Sequence, residues 1–315
     1  MGFDLRRLEA PIVQAGMGAV ARHELAAAVS EAGGLGTIAG VRAPIARELA
    51  AARRLTGRPV AVNLLLPFLA AGDVDEAAAA DVIVTFWGRP RRLAATAWIH
   101  QCGSVEEAKA AAAVGADAVI AQGVESGGHV RGAVPALELL ERVRAAVSIP
   151  VLVAGGIAER DDVRAALDAG AAAVVVGTRF LVSEESRAHP EYKRRCMRAS
   201  ETLLTELFGL SWPDAPHRVI PNAATERWLR DDVRGPGWIR RANRVARPVA
   251  VRLPAAVQTR ALRTQRPSQP FLGPQPPTDD GPSNLLDSGP LYAGETVARI
   301  TEIAPAAQLL RELVP

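Results

Sequence analysis

Between residues 11 and 178 the chain repeats one pattern eight times. Short apolar runs recur as PIVQAG (11–16), LGTIAG (35–40), PVAVNL (59–64), DVIVTF (81–86), AWIHQC (97–102), DAVIAQ (117–122), PVLVAG (150–155) and AVVVGT (173–178). Most are followed by an Ala-rich stretch with helical periodicity. Continuous apolar strands separated by amphipathic helices predict βαβ units, whose parallel strands are buried on both faces. Ser104 with Glu107 reads as a capping box opening one helix, and Gly115 and Gly170 read as helix stops. Eight such units predict an α/β fold of the (β/α)8 barrel type, with chemistry at the C-terminal strand ends. A doubly wound sheet of fewer strands is the competing architecture.

The pattern fills residues 1–182, the expected barrel core. Residues 183–315 are expected to be a helical and Pro/Gly-rich extension packed on it, without a second core. Within it 183–211 reads as helical, and 267–290 as a loop that is either a lid or disordered. Residues 227–266 hold eleven arginines against Asp231 and Asp232. That segment reads as a solvated surface and not as a nucleic-acid site. Only 4% of the chain is aromatic, so Ala, Val and Leu must fill the core.

Cys102 and Cys196 are too far apart in sequence to form a disulfide framework or a metal motif, which points to a reducing, cytoplasmic setting. No apolar stretch reaches about 18 uncharged residues, so no membrane span is expected. The N-terminus lacks an apolar leader, and MGFDLR lacks the Ser/Thr of a myristoylation motif.

The residues just after each strand are the candidates for chemistry. Gly155-Gly156 follows the seventh run and Gly177-Thr178 ends the eighth, where backbone N–H groups can meet a phosphate. After the sixth run comes the densest polar segment, Gln122-Gly123-Val124-Glu125-Ser126-Gly127-Gly128-His129. His129 suits a base that removes a weakly acidic C–H proton, since imidazole titrates near neutrality. Asn63 ends the third run and Gly16-Met17 closes the first, placing amide and backbone groups where a planar heterocycle could be read. His23, His100, His189 and His217 read as structural, and a Cys102–His100 nucleophile lacks base geometry. No Walker, GxGxxG or metal-ligand spacing occurs.

Taken in order, APIVQAGMG, GGLGTIAG, PVAVNLLLP, AQGVESGGHVRG, PVLVAGGI and VVVGTRF resemble the nitronate monooxygenase family, formerly called 2-nitropropane dioxygenases. The later WPDAPHRVIPNAATERW and YAGETVARITEIAPAAQLLREL look like that family too. The resemblance implies a TIM barrel holding FMN non-covalently, with His129 as the catalytic histidine. Gly16 and Met17 would lie by the flavin ring, Asn63 and Gln122 would hydrogen-bond it, and Gly127 and Gly128 would lie against it. Gly155, Gly156, Gly177 and Thr178 would hold its phosphate. It implies oxidation of an alkyl nitronate, or of a nitroalkane after His129 takes its α-proton, by O2 to a carbonyl compound and nitrite.

Implied partners are a small-molecule substrate and O2, with room for a homodimer. The chain departs from the family in the short segment Pro67 to Ala80, in Ser126 where Ala is commoner, and in the Pro-rich 267–290. The competing readings are an FMN-dependent NAD(P)H enoyl-ACP reductase, whose acidic carrier protein could dock on the arginine-rich segment, a pathway-specific tailoring flavoenzyme, and a flavin-binding protein with little turnover.

Overall fold

A computed structural model describes Leu5, residues 8–93 and residues 96–315; MGFDLR, read above for a lipidation motif, lies outside these apart from Leu5. All eight apolar runs are strands: β1 (Ile12–Gln14), β2 (Gly36–Ala39), β3 (Val60–Leu65), β4 (Val82–Phe86), β5 (Trp98–Cys102), β6 (Ala118–Gln122), then, after a short β7 (Gly128–His129), β8 (Val151–Ala154) and β9 (Val174–Val176). They form one parallel sheet in the order β1-β9-β8-β6-β5-β4-β3-β2. A Val13–Leu35 bridge joins its two ends. At that seam the Gln14 N–H donates to Leu35 O and the Leu35 N–H to Ile12 O, both at 2.9 Å. The sheet is therefore a closed (β/α)8 barrel, and the doubly wound alternative is excluded.

Strand alternation divides the core. In β3, Ala61 packs into the barrel interior with Val84, Ile120 and Leu152, while Val60, Val62 and Leu64 face the helices. β6 repeats this, with Ala118 and Ile120 inside and Val119 and Ala121 against the helix layer. Small inward side chains suit the narrow interior of an eight-stranded barrel, and they explain how a chain poor in aromatics fills it. The outer layer includes α1 (His23–Glu31), α2 (Ile45–Leu55), α3 (Asp73–Ala77), α4 (Val105–Ala113), α5 (Ala136–Arg144) and α6 (Arg160–Asp168). Ser104 caps α4 by accepting from the Glu107 N–H, but Glu107 returns its carboxylate to Gly103 N and not to Ser104 N. Gly115 and Gly170 both stop helices at φ 87°. Gly36 has no room for a side chain, because a Cβ would lie 1.8 Å from Ala26 O of α1.

Beyond α7 (Thr178–Leu181) the chain departs from expectation. Only α8 (Pro190–Arg198) is helical in 183–211. The backbone is extended from Ala199, and β10 (Leu203–Thr205) pairs antiparallel with β11 (His217–Val219), which pairs with β7. A long-range partner has overridden local helical preference. There follow α9 (Ala223–Trp228), α10 (Gly237–Ala250), α11 (Ala255–Thr264), α12 (Leu285–Ser288) and α13 (Ala306–Leu313). The arginine-rich pair α10 and α11 is largely exposed, with Trp238 and Val245 also facing solvent. Residues 267–290 are an ordered strap: Gln265 donates to Ser288 O at 2.7 Å, and Asn284 to Leu262 O at 2.9 Å. α13 packs on α1, α6 and α7, and Arg179 pairs with Glu302 and Glu312.

Candidate active site

The C-terminal strand ends surround one cavity of about 410 Å³. All eleven residues singled out in the sequence line it: Gly16, Met17, Asn63, Gln122, Gly127, Gly128, His129, Gly155, Gly156, Gly177 and Thr178. They do different jobs. Gly16 makes room for a neighbour, since a Cβ there would lie 2.4 Å from that of Asn63. Asn63 is buried, and its amide reaches Val84 O at 3.4 Å. Gln122 clamps its own loop, donating to His129 O at 2.9 Å and accepting from the Arg131 N–H at 2.8 Å. One amide hydrogen of Gln122 is left for another acceptor.

The two glycines before His129 also differ. A Cβ on Gly127 would meet Ala293 C and Gly294 N at 2.6 Å, so its bareness admits the backbone of a later segment. Gly128, at φ 72°, would meet nothing within 4 Å, and Gly156, at φ 76°, is equally open. The Thr178 hydroxyl accepts from the Gly294 N–H at 2.9 Å, which ties the end of β9 to that same segment. Gly177 and Thr178 open α7, where first-turn N–H groups have no helical partner. Ser126 uses its hydroxyl on Ala154 O at 3.2 Å.

His129 sits on β7, in register with His217. Its ring stacks on Trp212 with centroids 3.9 Å apart and planes 22° from parallel, and it lies 5.2 Å from His217 and 5.5 Å from Tyr292. Its Nε2 is shielded from solvent and has no hydrogen-bond partner. Burial, and then the neighbouring His217, hold the imidazole well below its ordinary pKa, so it is neutral at pH 7. His217 is fixed in one tautomer: Nε2 accepts from Phe208 N at 3.3 Å and Nδ1 lies 3.0 Å from Ala215 O, to which it donates. Burial lowers the His217 pKa to about 4.

Trp212 and Tyr292 line the cavity and were not read as site residues in the sequence; His217 is structural as read, both its ring nitrogens being spent on backbone, although it packs beside His129. The late WPDAPHR and YAGETV blocks were the signal, and nothing local places either beside His129. The other histidines are structural. His23 contacts Glu48 at 2.8 Å, His100 contacts Thr85 Oγ1 at 2.8 Å, and His189 accepts from Glu191 N. Cys102 is buried, with its thiol pKa pushed up to about 12 by desolvation, which leaves it inert beside His100. Among the described residues no cluster of three or more metal-ligating side chains occurs.

Comparisons with known proteins agree on a class first, a (β/α)8-barrel oxidoreductase of the flavin-dependent kind. A family model described as nitronate monooxygenase matches residues 3–89 and 90–315, and the chain belongs to that family. A nitronate monooxygenase of Pseudomonas aeruginosa is 35% identical over 69% of this chain and 80% of its own length. A Mycobacterium tuberculosis protein named (3aS,4S,5R,7aS)-5-hydroxy-7a-methyl-1-oxo-octahydro-1H-indene-4-carboxyl-CoA dehydrogenase is 36% identical over 71% of this chain; a protein of the same name from Rhodococcus jostii is 33% identical over 69%. Those two alignments span 66% and 64% of the relatives' own lengths. Among solved structures, FabK from Thermotoga maritima superposes with TM-score 0.77 at 30% identity, covering 98% of this chain and 93% of its own. A nitroalkane oxidase from Streptomyces ansochromogenes gives 0.75 at 29%, covering 98% and 96%.

Proposed function

We propose that the protein oxidises alkyl nitronates, or nitroalkanes after proton removal, with FMN and O2, giving a carbonyl compound and nitrite. The observation that carries this is His129: a neutral imidazole whose Nε2 is unpartnered, in a cavity bordered on another side by bare glycine backbone. The residues fit a flavin. Gly156, Gly177 and Thr178 would hold its phosphate, Gly128 leaves open space for its ring, and Asn63 and the free Gln122 amide hydrogen would meet its polar edge. When bound, FMN supplies the redox chemistry that joins nitronate oxidation to O2.

The chain's own groups handle binding and the proton. His129 Nε2 accepts the α-proton of a neutral nitroalkane, a step unnecessary for a preformed nitronate. The cation so formed lies over the Trp212 indole face, an arrangement that favours imidazolium by about 0.5–2 kcal/mol. The Gln122 clamp on His129 O and the pairing with β11 fix the backbone that carries the base. Pro274, Gln275 and Pro276 of the strap also line the cavity.

The exposed arginine face of α10 and α11, seven arginines in 237–264 without one acidic residue, favours a second reading. It is an NAD(P)H-dependent enoyl-ACP reductase-like enzyme, whose acidic carrier would dock on that face. Anaerobic mixing of flavin-loaded protein with a nitronate or with NADPH decides. Rapid flavin bleaching by the nitronate supports nitronate oxidation, and bleaching by NADPH alone overturns it.

A further inference from the structure

The chain has six Phe, five Trp and two Tyr, and five of these thirteen side chains form one contiguous wall. Phe68 and Trp212 meet edge to face at 4.9 Å, Trp212 and Trp87 at 5.1 Å, and Phe86 and Trp87 at 5.5 Å; His129 then joins Trp212 to Tyr292. Phe68, Phe86, Trp212 and Tyr292 line the cavity. Trp87 stands behind them at φ 63°, a backbone conformation that is costly for a bulky residue and persists only where the surroundings impose it. Tyr292 donates its hydroxyl to Pro274 O at 2.9 Å, which draws Pro274 and Pro276 over the wall as an apolar roof.

The Phe68–Phe86 end of the wall lies away from the glycine backbone suited to a phosphate. Phe68 follows β3 and Phe86 ends β4, three or four places round the closed sheet from β8 and β9, where Gly155, Gly156, Gly177 and Thr178 sit. The one charge on the wall is the Arg131 guanidinium, which lies 5.1 Å from the centroid of the Trp87 ring, outside the cavity lining, and is paired with Glu107. Of the charged residues lining the cavity, Arg22 pairs with Glu48 at 3.2 Å, Glu125 is spent on Ala136 N, and the exposed Arg42 bonds Gln258. Phe86 and Trp212 are buried, whereas Phe68 and Tyr292 are half-buried on the cavity; a short alkyl substrate would leave those two partly uncovered, and a flat ring would cover them and gain edge or face contacts.

We propose that the substrate carries an uncharged aromatic or fused-ring group next to its reacting carbon, packed against Phe68 and Trp212 beside His129. The inference names the substrate class for the nitronate-oxidising site and rests on that reading for the reaction, but not for binding. Calorimetric titration of the flavin-loaded protein with phenylacetamide and with propionamide, neither of which can be oxidised as a nitronate, tests it. The ring-bearing amide is expected to bind at least about tenfold more tightly, the effect of burying one ring face. Phe68→Leu should remove most of that preference, and Phe68→Tyr should keep it.

With substrates, kcat/KM for the phenylnitromethane anion should exceed that for ethylnitronate by a similar factor, and the ratio should fall in Phe68→Leu. Equal binding of the two amides by the wild type overturns the proposal. So does a Phe68→Leu protein that loses FMN affinity while keeping ring preference, because the wall would then serve the cofactor. Ring preference in binding with no oxidation of either nitronate would refute the reaction and leave the ring site standing.

Discussion

Gly127 and Gly128 are adjacent, yet alanine should fail at each for opposite reasons. At Gly127 the new Cβ would overlap Ala293 C and Gly294 N at 2.6 Å, backbone atoms that cannot rotate aside. Forcing them apart costs about 1–3 kcal/mol as overpacking. It also strains two hydrogen bonds, Glu295 N to Glu125 O at 3.0 Å and Gly294 N to Thr178 Oγ1 at 2.9 Å, each worth about 1 kcal/mol. A loss of roughly 2–4 kcal/mol corresponds to a Tm about 3–6 °C lower in a chain of this size. At Gly128 space is open, and only the left-handed φ of 72° opposes alanine, at about 1–2 kcal/mol. There the methyl group enters the cavity. Thermal scans with and without FMN separate the two, because saturating ligand at about 100 Kd raises stability by about 2.7 kcal/mol. Gly127→Ala should melt low but still gain from FMN, whereas Gly128→Ala should melt only about 2–3 °C low and gain little. A full FMN-induced rise in Gly128→Ala would refute the assignment of that space to the cofactor.

His129→Ala should retain FMN and spare preformed nitronates while slowing neutral nitroalkanes by about 10²–10⁴-fold; equal loss on both in steady-state assays removes it as the base. Because His100 and His217 have pKa values lowered to about 4, and His129 is lowered too, the unfolded chain binds more protons below its own histidine pKa near 6.5. Stability is therefore present above about pH 6.5 and is lost as pH falls toward 4; a urea midpoint that holds steady or rises on acidification contradicts this. Cys102 and Cys196, both buried with thiols pushed up to about 12, should ignore a disulfide reagent in the native protein and react once it is unfolded in urea. Tyr292→Phe, losing its bond to Pro274 O, should raise KM several-fold with little change in kcat, as measured by initial rates.

The barrel was legible because each strand is a continuous apolar run and two of the intervening helices end in glycine stops, Gly115 and Gly170, all local signals. The glycines and His129 were legible for the same reason: barrel geometry says that residues after strands meet in space. What failed was everything decided by distant partners. β7 has two residues and β10 three, too short for any period, and their pairing with β11 shows only in three dimensions. Trp212 and His217 reach the site through that small sheet. Helical reading of 183–211 failed because pairing of Leu203–Thr205 with His217–Val219 outweighed local propensity. The arginine-rich stretch was read as a solvated helical surface, and α10 and α11 are that.

The packing of Ala293 and Gly294 against Gly127 and Thr178 sets a schedule for synthesis. Strands β1 to β9 leave the ribosome first and can close on one another, yet the roof arrives about a hundred residues later, and Tyr292 and the backbone that Gly127 admits later still. A nascent chain would thus carry a barrel before it carries a finished cavity. Capture of a ligand in that cavity would then wait until residues 292–294 have been made, and a chain interrupted before them would lack a complete place to hold it.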